Sequence, residues 1–256
     1  SAASDVYKRQ GADGAIGFYR ARSHQVVPVK RCLIQPEAAD KTAAAVGEWM
    51  RRYKVPAYDE ATGKGLVRHV YVRVNRKGES LCCVVINGRQ APREPELAAY
   101  VCATVPHTAG VLVNSNTKRG NVILGEKYRT LWGRDYLMDT LCGLEFKLSV
   151  PSFYQVNRDQ AEALYGKALD YAGLTGRETV LDLYCGIGTI TLCLAKRAGR
   201  VIGAEIVPAA IRDAKENAAR NHIENAEFFC GDAAETAARL EAEGLRPDVI
   251  TVDPPR

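Results

Sequence analysis

An apolar run, Val180-Leu-Asp-Leu183, passes directly into Tyr184-Cys-Gly-Ile-Gly-Thr189, and three further apolar runs follow, each ending on an acid. Glu205 closes Arg200–Glu205, Asp232 follows Ala226–Cys230, and Asp253 follows Asp248–Val252. Helical patterns lie between them over Thr189–Ala198, Pro208–Asn221 and Ala233–Glu243. Strands alternating with helices predict a parallel, doubly wound sheet, because parallel neighbours need a crossover connection. In such α/β sheets ligands lie across the carboxyl ends of the strands. The spacing therefore predicts a nucleotide-type cofactor site, and four strands before Arg256 suggest the first half of such a sheet.

Individual residues sharpen this reading. Gly186 and Gly188 let backbone approach a cofactor after the first strand. A dinucleotide pattern would place glycine at 191, where Thr191 stands, so a dinucleotide is disfavoured. Glu205, at the end of the second strand, is placed to accept hydrogen bonds from ribose hydroxyls. Asp232 would face the adenine side, although Gly-Asp is also an ordinary turn. In Asp253-Pro-Pro-Arg256, two φ-locked prolines would hold the carboxylate as a rigid wall for a planar amide or amine. Cys185, inside the glycine loop, reads as a small buried side chain under the cofactor rather than as a nucleophile.

Ahead of this block the pattern differs. Residues 1–10 lack periodicity and read as a tail or remnant outside the fold. Ile16–Tyr19 and Gln25–Val29 are short strand candidates, and Pro36 opens a helical pattern lasting to about Tyr53. Leu66–Asn75 and Ser80–Asn87 alternate around Arg76-Lys-Gly-Glu79, a hairpin signature. Glu94–Val105 reads as helix, Gly110–Asn114 as strand before a polar loop, and Leu141–Ser149 as strand. We expect an α+β front domain over 11–150 and an incomplete cofactor domain over 151–256, opened by the helix Gln160–Gly173.

Charge divides along the same line. Residues 1–150 carry 23 Lys and Arg against 14 Asp and Glu, whereas 151–256 carry 12 against 16, so the net +5 is a basic front and an acidic back. A basic front suits a polyanion such as RNA, or simply a solvated face. The eight cysteines contain no CxxC pair and mostly sit in apolar runs, which implies a reducing cytoplasm. No long apolar run or leader pattern suggests a membrane role, and no obligate protein partner is evident. Cys32 stands alone in Lys30-Arg-Cys-Leu-Ile34, whereas an iron–sulfur cluster needs about four thiolates.

Taken with Gly17-Phe-Tyr19, Ser23-His24, Lys30-Arg-Cys32, Arg68-His69, Ser152-Phe-Tyr-Gln-Val-Asn157, Leu181–Gly188, Gly203-Ala-Glu205 and Gly231-Asp232, the Asp253–Arg256 motif resembles those of a known family. The chain is similar, over about residues 17–256, to the 5-methyluridine RNA methyltransferases of the RumA/TrmA type, and within them to the 23S ribosomal RNA branch. That resemblance implies a Rossmann-like class I methyltransferase domain and S-adenosyl-L-methionine as cofactor. It places Gln155, Tyr184, Glu205 and Asp253 on the cofactor, with Thr189 and Asp232 as further contacts, and Phe153 near the target uracil. Read without it, Phe153 and Tyr154 pack at a domain junction. Cys32 falls where many family members place the last of four ligands to a 4Fe-4S cluster, the others lying upstream.

The same resemblance implies a thiolate that adds to carbon 6 of uracil, making carbon 5 nucleophilic, and a base that later removes the carbon 5 proton. Family pattern puts both groups beyond Arg256, so the chain as given is expected to be inactive. Two rivals stay open. A nicotinamide-dependent oxidoreductase would differ in which cofactor binds, and an RNA-binding module with a vestigial cofactor fold would tolerate loss of Asp253.

Overall fold

The computed structural model describes residues 6–10, 16–21, 23, 26–120, 122–155 and 157–254. His24 and Val156 of the quoted motifs, and Pro255 and Arg256, lie outside the described residues. The chain divides into two compact units, one of residues 1–137 with 149–151 and one of 138–148 with 152–256.

In the first unit the elements run β1 (Val6–Gln10), β2 (Ile16–Tyr19), β3 (Val26–Pro28), α1 (Glu37–Tyr53), β4 (Val67–Val74), β5 (Ser80–Ile86), α2 (Glu94–Thr104), β6 (Thr108–Ser115) and β7 (Lys127–Gly133). Their sheet has the order β3-β2-β1-β4-β5-β6-β7. The hairpin expected around residues 76–79 is the β4–β5 pair, antiparallel from Val67–Ile86 to Val74–Ser80. Helix α2 carries the chain from β5 to a parallel β6, so this unit contains a βαβ crossover of its own. Trp49, Val70, Val72, Val84, Leu97 and Val113 form the core between sheet and helices.

Two sequence expectations are corrected here. Residues 6–10 were expected in a tail outside the fold, yet they form β1 and pair with both β2 and β4. Val6–Gln10 shows no apolar alternation in sequence, and it is the backbone pairing with both neighbours that makes it a strand. The strand expected over Leu141–Ser149 is the second arm of a hairpin, β8 (Tyr136–Leu141) and β9 (Leu144–Ser149). Cys142 and Gly143 turn between them with φ of 53° and 73°, the paired positive values of a two-residue hairpin turn. Residues 138–148 of this hairpin group with the second unit, so the division does not fall simply at 150.

The second unit continues with α3 (Arg158–Ala172), β10 (Thr179–Leu183), α4 (Thr189–Ala195), β11 (Arg200–Glu205), α5 (Pro208–Arg220), β12 (Ala226–Cys230), α6 (Ala233–Ala242) and β13 (Val249–Val252). Asn157 caps the start of α3 and left-handed Gly173 ends it. All pairings are parallel, in the order β12-β11-β10-β13. The chain steps outward from β10 to β11 to β12, then returns to the other side of β10 as β13. The topological switch point therefore lies between β10 and β13, where such sheets bind ligands. Among the described residues, no helix is long and apolar enough to cross a membrane.

Candidate functional site

The β10–α4 connection is a turn built on left-handed residues. Tyr184, Gly186 and Gly188 all have positive φ, at 66°, 56° and 84°. Glycine adopts this region freely, whereas a tyrosine held there is uncommon and marks a constrained turn. A side chain at Gly188 would press on Phe228 at 3.2 Å, which explains the glycine by packing. At Gly186 a β-carbon would meet nothing within 4 Å, so that peptide faces open space. The turn thus leaves room for a ligand beside its own backbone.

Glu205 is drawn onto this turn. Its Oε2 accepts from the Gly186 amide at 3.2 Å and its Oε1 from the Val207 amide at 2.8 Å. Register places Glu205 beside Cys230 at the carboxyl end of the sheet, and the Gly231 amide donates to its carbonyl at 3.0 Å. The carboxylate is therefore held in one orientation at the strand ends with lone pairs remaining for further donors. Tyr184 is 37% exposed, and Ile206 and Val207 leave apolar surface just after Glu205.

Beneath the turn sits a group that sequence reading passed over. Asp182 is buried on β10 and accepts from Thr191 Oγ1 on α4 at 2.5 Å and from Thr251 Oγ1 on β13 at 2.8 Å. One carboxyl thus ties together the helix that follows the turn and both strands of the switch point. Burial raises its pKa to about 6, the two hydroxyl donors oppose that, and the nearby charge of Asp253 adds to it. The signal in the sequence was an acid between leucines in a strand interior, where a charge needs dedicated partners. Thr191 belongs to this network, which explains why threonine rather than glycine stands there. Thr189 bonds the Tyr165 hydroxyl at 3.2 Å, and burial raises the Tyr165 pKa to about 12.

The remaining expected residues are placed as follows. Asp253 is exposed immediately after β13, at the switch point. Asp232 caps α6, accepting from the amides of Ala234 at 2.9 Å and Glu235 at 3.2 Å. Gln155 is half-buried, Phe153 is 65% exposed, and Tyr154 between them is buried against Phe146. Of the pair weighed for packing, Tyr154 packs in the core whereas Phe153 leaves its ring exposed. Cys185 is buried with its sulfur close to Gly203, where a β-carbon would lie 2.9 Å from it, and burial pushes its thiol pKa well up. A thiol held protonated is a poor nucleophile.

The residues present fit S-adenosyl-L-methionine: the open face of Gly186 would give it a backbone cradle, and Glu205 would give its ribose an oriented acceptor. A 4Fe-4S cluster does not fit the described residues, among which no group of three or more His, Cys, Asp or Glu side chains is arranged to hold a metal ion. The Cys32 amide donates to Asp40 at 3.0 Å, beside the start of α1.

Residues 174–253 match the family model described as a methyltransferase domain. Proteins named as uncharacterized RNA methyltransferases are similar along nearly the whole chain: one from Halalkalibacterium halodurans is 44% identical over 94% of this chain and 53% of its own length. One from Clostridium acetobutylicum is 42% identical over 95% of this chain and 53% of its own. The chain spans about half the length of the curated relatives it matches. Among solved structures, the tRNA (uracil-54, C5)-methyltransferase of Pyrococcus abyssi, in complex with S-adenosyl-L-homocysteine, superposes with a TM-score of 0.79 over 98% of this chain and 59% of that one, at 23% identity. The parallel sheet, its switch point and these likenesses make the second unit a Rossmann-like methyltransferase domain.

Proposed function

We propose that this chain carries the cofactor-binding part and an RNA-contacting front domain of an S-adenosyl-L-methionine-dependent methyltransferase that modifies carbon 5 of uridine in 23S ribosomal RNA. The observation that carries the cofactor is the bond from the Gly186 amide to Glu205 at the carboxyl ends of β10 and β11. The RNA class rests on relatives named as RNA methyltransferases, and the carbon 5 target on the motif resemblance and on the name of the Pyrococcus neighbour.

In this reading Glu205 accepts the ribose hydroxyls, and the turn from Tyr184 to Thr189 lines the cofactor with Gln155, Asp232 and Asp253. Bound S-adenosyl-L-methionine supplies an electrophilic methyl group on sulfonium sulfur. Phe153 offers its exposed ring to the target uracil, which must leave its stack at a cost of a few kcal/mol. Loops in structured RNA meet that requirement more cheaply than duplexes. Exposed cations of the first unit, among them Arg76, Lys77, Lys118 and Arg119, would hold phosphates. The nucleophilic cysteine is not Cys185, and a residue beyond Arg256 would supply it. Cys32 would be a cluster ligand only together with three thiolates supplied from outside this sequence.

Deleting the gene in its source cells and mapping 5-methyluridine by mass spectrometry tests the substrate. The reading predicts loss from 23S ribosomal RNA with transfer RNA unchanged. Loss from transfer RNA alone would move the substrate to the class named for the Pyrococcus protein, and loss from neither would end the uridine assignment.

A further inference from the structure

Asn217 lies in the last turn of α5 and is fully buried, a place where asparagine is a poor helix former unless its amide is satisfied. Both ends of the amide are used. Its Oδ1 accepts from the backbone amide of Lys147 on β9 at 2.9 Å. Its Nδ2 donates to the carbonyl of Ile187 at 3.3 Å, the residue between Gly186 and Gly188. Lys147 offers only a donor there and Ile187 only an acceptor, so a single orientation of the side-chain amide serves both.

The device repeats along the same helix face. Asp213 Oδ2 accepts from Ser152 Oγ at 2.9 Å, and Asn221 accepts from the Glu145 amide at 2.8 Å while donating to the Glu145 carbonyl at 2.7 Å. Residues four apart on a helix share one face, so Asp213, Asn217 and Asn221 make one polar ridge. Of the three, Asn217 is the member bonded to the glycine turn, and Asp213 is the member bonded one residue before Phe153.

We infer that Asn217 is a positioning residue for the cofactor turn. Through the Ile187 carbonyl it fixes the rotation of the peptides on either side, and so the direction in which the Gly186 amide and the open face beside it point. Through Lys147 it references that turn to β9, whose continuation leads to Ser152 and Phe153. The α5 ridge thereby sets the cofactor turn and the base-contacting segment from one rigid element, which is the arrangement a transfer between two bound molecules requires. The meaning of the turn as a cofactor site rests on the methyltransferase reading; the positioning itself does not.

The test uses the whole chain and the variants Asn217→Asp and Asn221→Ala, with backbone hydrogen exchange and binding of S-adenosyl-L-homocysteine as readouts. Asn217→Asp keeps the acceptor for Lys147 but sets an oxygen against the Ile187 carbonyl. Exchange over residues 184–188 should rise while Lys147 stays protected, and S-adenosyl-L-homocysteine should bind roughly tenfold more weakly for the lost buried bond. Asn221→Ala should raise exchange near Glu145 and leave both the turn and ligand affinity unchanged. If Asn217→Asp does not fold, Asn217→Ser, neutral and too short to reach both partners, is measured in its place; exchange should then rise at Lys147 as well as over 184–188, with the same loss of S-adenosyl-L-homocysteine affinity. Unchanged exchange over 184–188, or a rise spread evenly over the second unit, would overturn the inference. Failure of the unmodified chain to bind S-adenosyl-L-homocysteine would instead count against the methyltransferase reading, while the exchange pattern still decides the role of Asn217.

Discussion

Replacing Asp182 by Asn should change how the stability of the second unit depends on pH, and by an amount set by the site. The Asp182 carboxyl is buried and its pKa rises from 3.8 to about 6 on folding. Between those values the folded protein keeps the proton that the unfolded chain releases, so stability falls as pH rises through about 6. At about 1.4 kcal/mol per pKa unit, the full loss is about 3 kcal/mol, of which about 2 kcal/mol falls between pH 4.5 and pH 8. Asn at 182 is neutral throughout, can accept from Thr251, and can donate to a turned Thr191 hydroxyl. Asp182→Asn should therefore gain about 2 kcal/mol on the native chain between those two pH values. Both tryptophans, Trp49 and Trp132, lie in the first unit, so fluorescence would report the wrong part of the molecule. Protection factors of the β10 and β11 amides, measured by hydrogen exchange at both pH values, report the right one. A difference between the two proteins that is the same at pH 4.5 and pH 8, or that reverses sign, would refute the assignment of Asp182 as a strained buried carboxyl.

Further outcomes follow from the other groups. Glu205→Ala should weaken S-adenosyl-L-homocysteine binding by about 1–3 kcal/mol, read by calorimetric titration, because it removes a charged acceptor; unchanged affinity would take Glu205 out of the site. Cys185→Ala should retain that affinity, and in the complete enzyme should retain methyl transfer; total loss of transfer with intact cofactor binding would make Cys185 the nucleophile. Asp232→Ala should lower the stability of the second unit by about 1 kcal/mol through loss of the α6 cap, read by the same exchange measurement. Binding of ribosomal RNA fragments should weaken steeply between about 50 and 200 mM salt, whereas a flat response would argue against phosphate contacts.

How much of this was legible in the sequence depended on whether local pattern or distant partners decided each feature. The four parallel strands and their helices were readable because apolar runs, proline starts and glycine stops are local signals, and the structure places them within a few residues of the expected bounds. The same holds for α1, α2 and the β4–β5 hairpin. Strand β1 was missed because Val6–Gln10 lacks apolar alternation and is placed by its pairing with β2 and β4. The turn at Cys142-Gly143 was missed because its Cys takes a left-handed conformation that the sequence does not announce. The places of Glu205 at a strand end and of the two glycines in the turn after β10 were readable from position alone. The partners of Asp182 lie at 191 and 251, and those of Asn217 at 147 and 187, so their roles existed only once the fold had brought those residues together.

The most direct test of the cofactor assignment is a calorimetric titration of the chain with S-adenosyl-L-homocysteine, with NAD in a parallel titration. Saturable binding of S-adenosyl-L-homocysteine that is weakened in Glu205→Ala, with no binding of NAD, is the predicted result. Binding of NAD, or no binding of S-adenosyl-L-homocysteine by the folded protein, would contradict it.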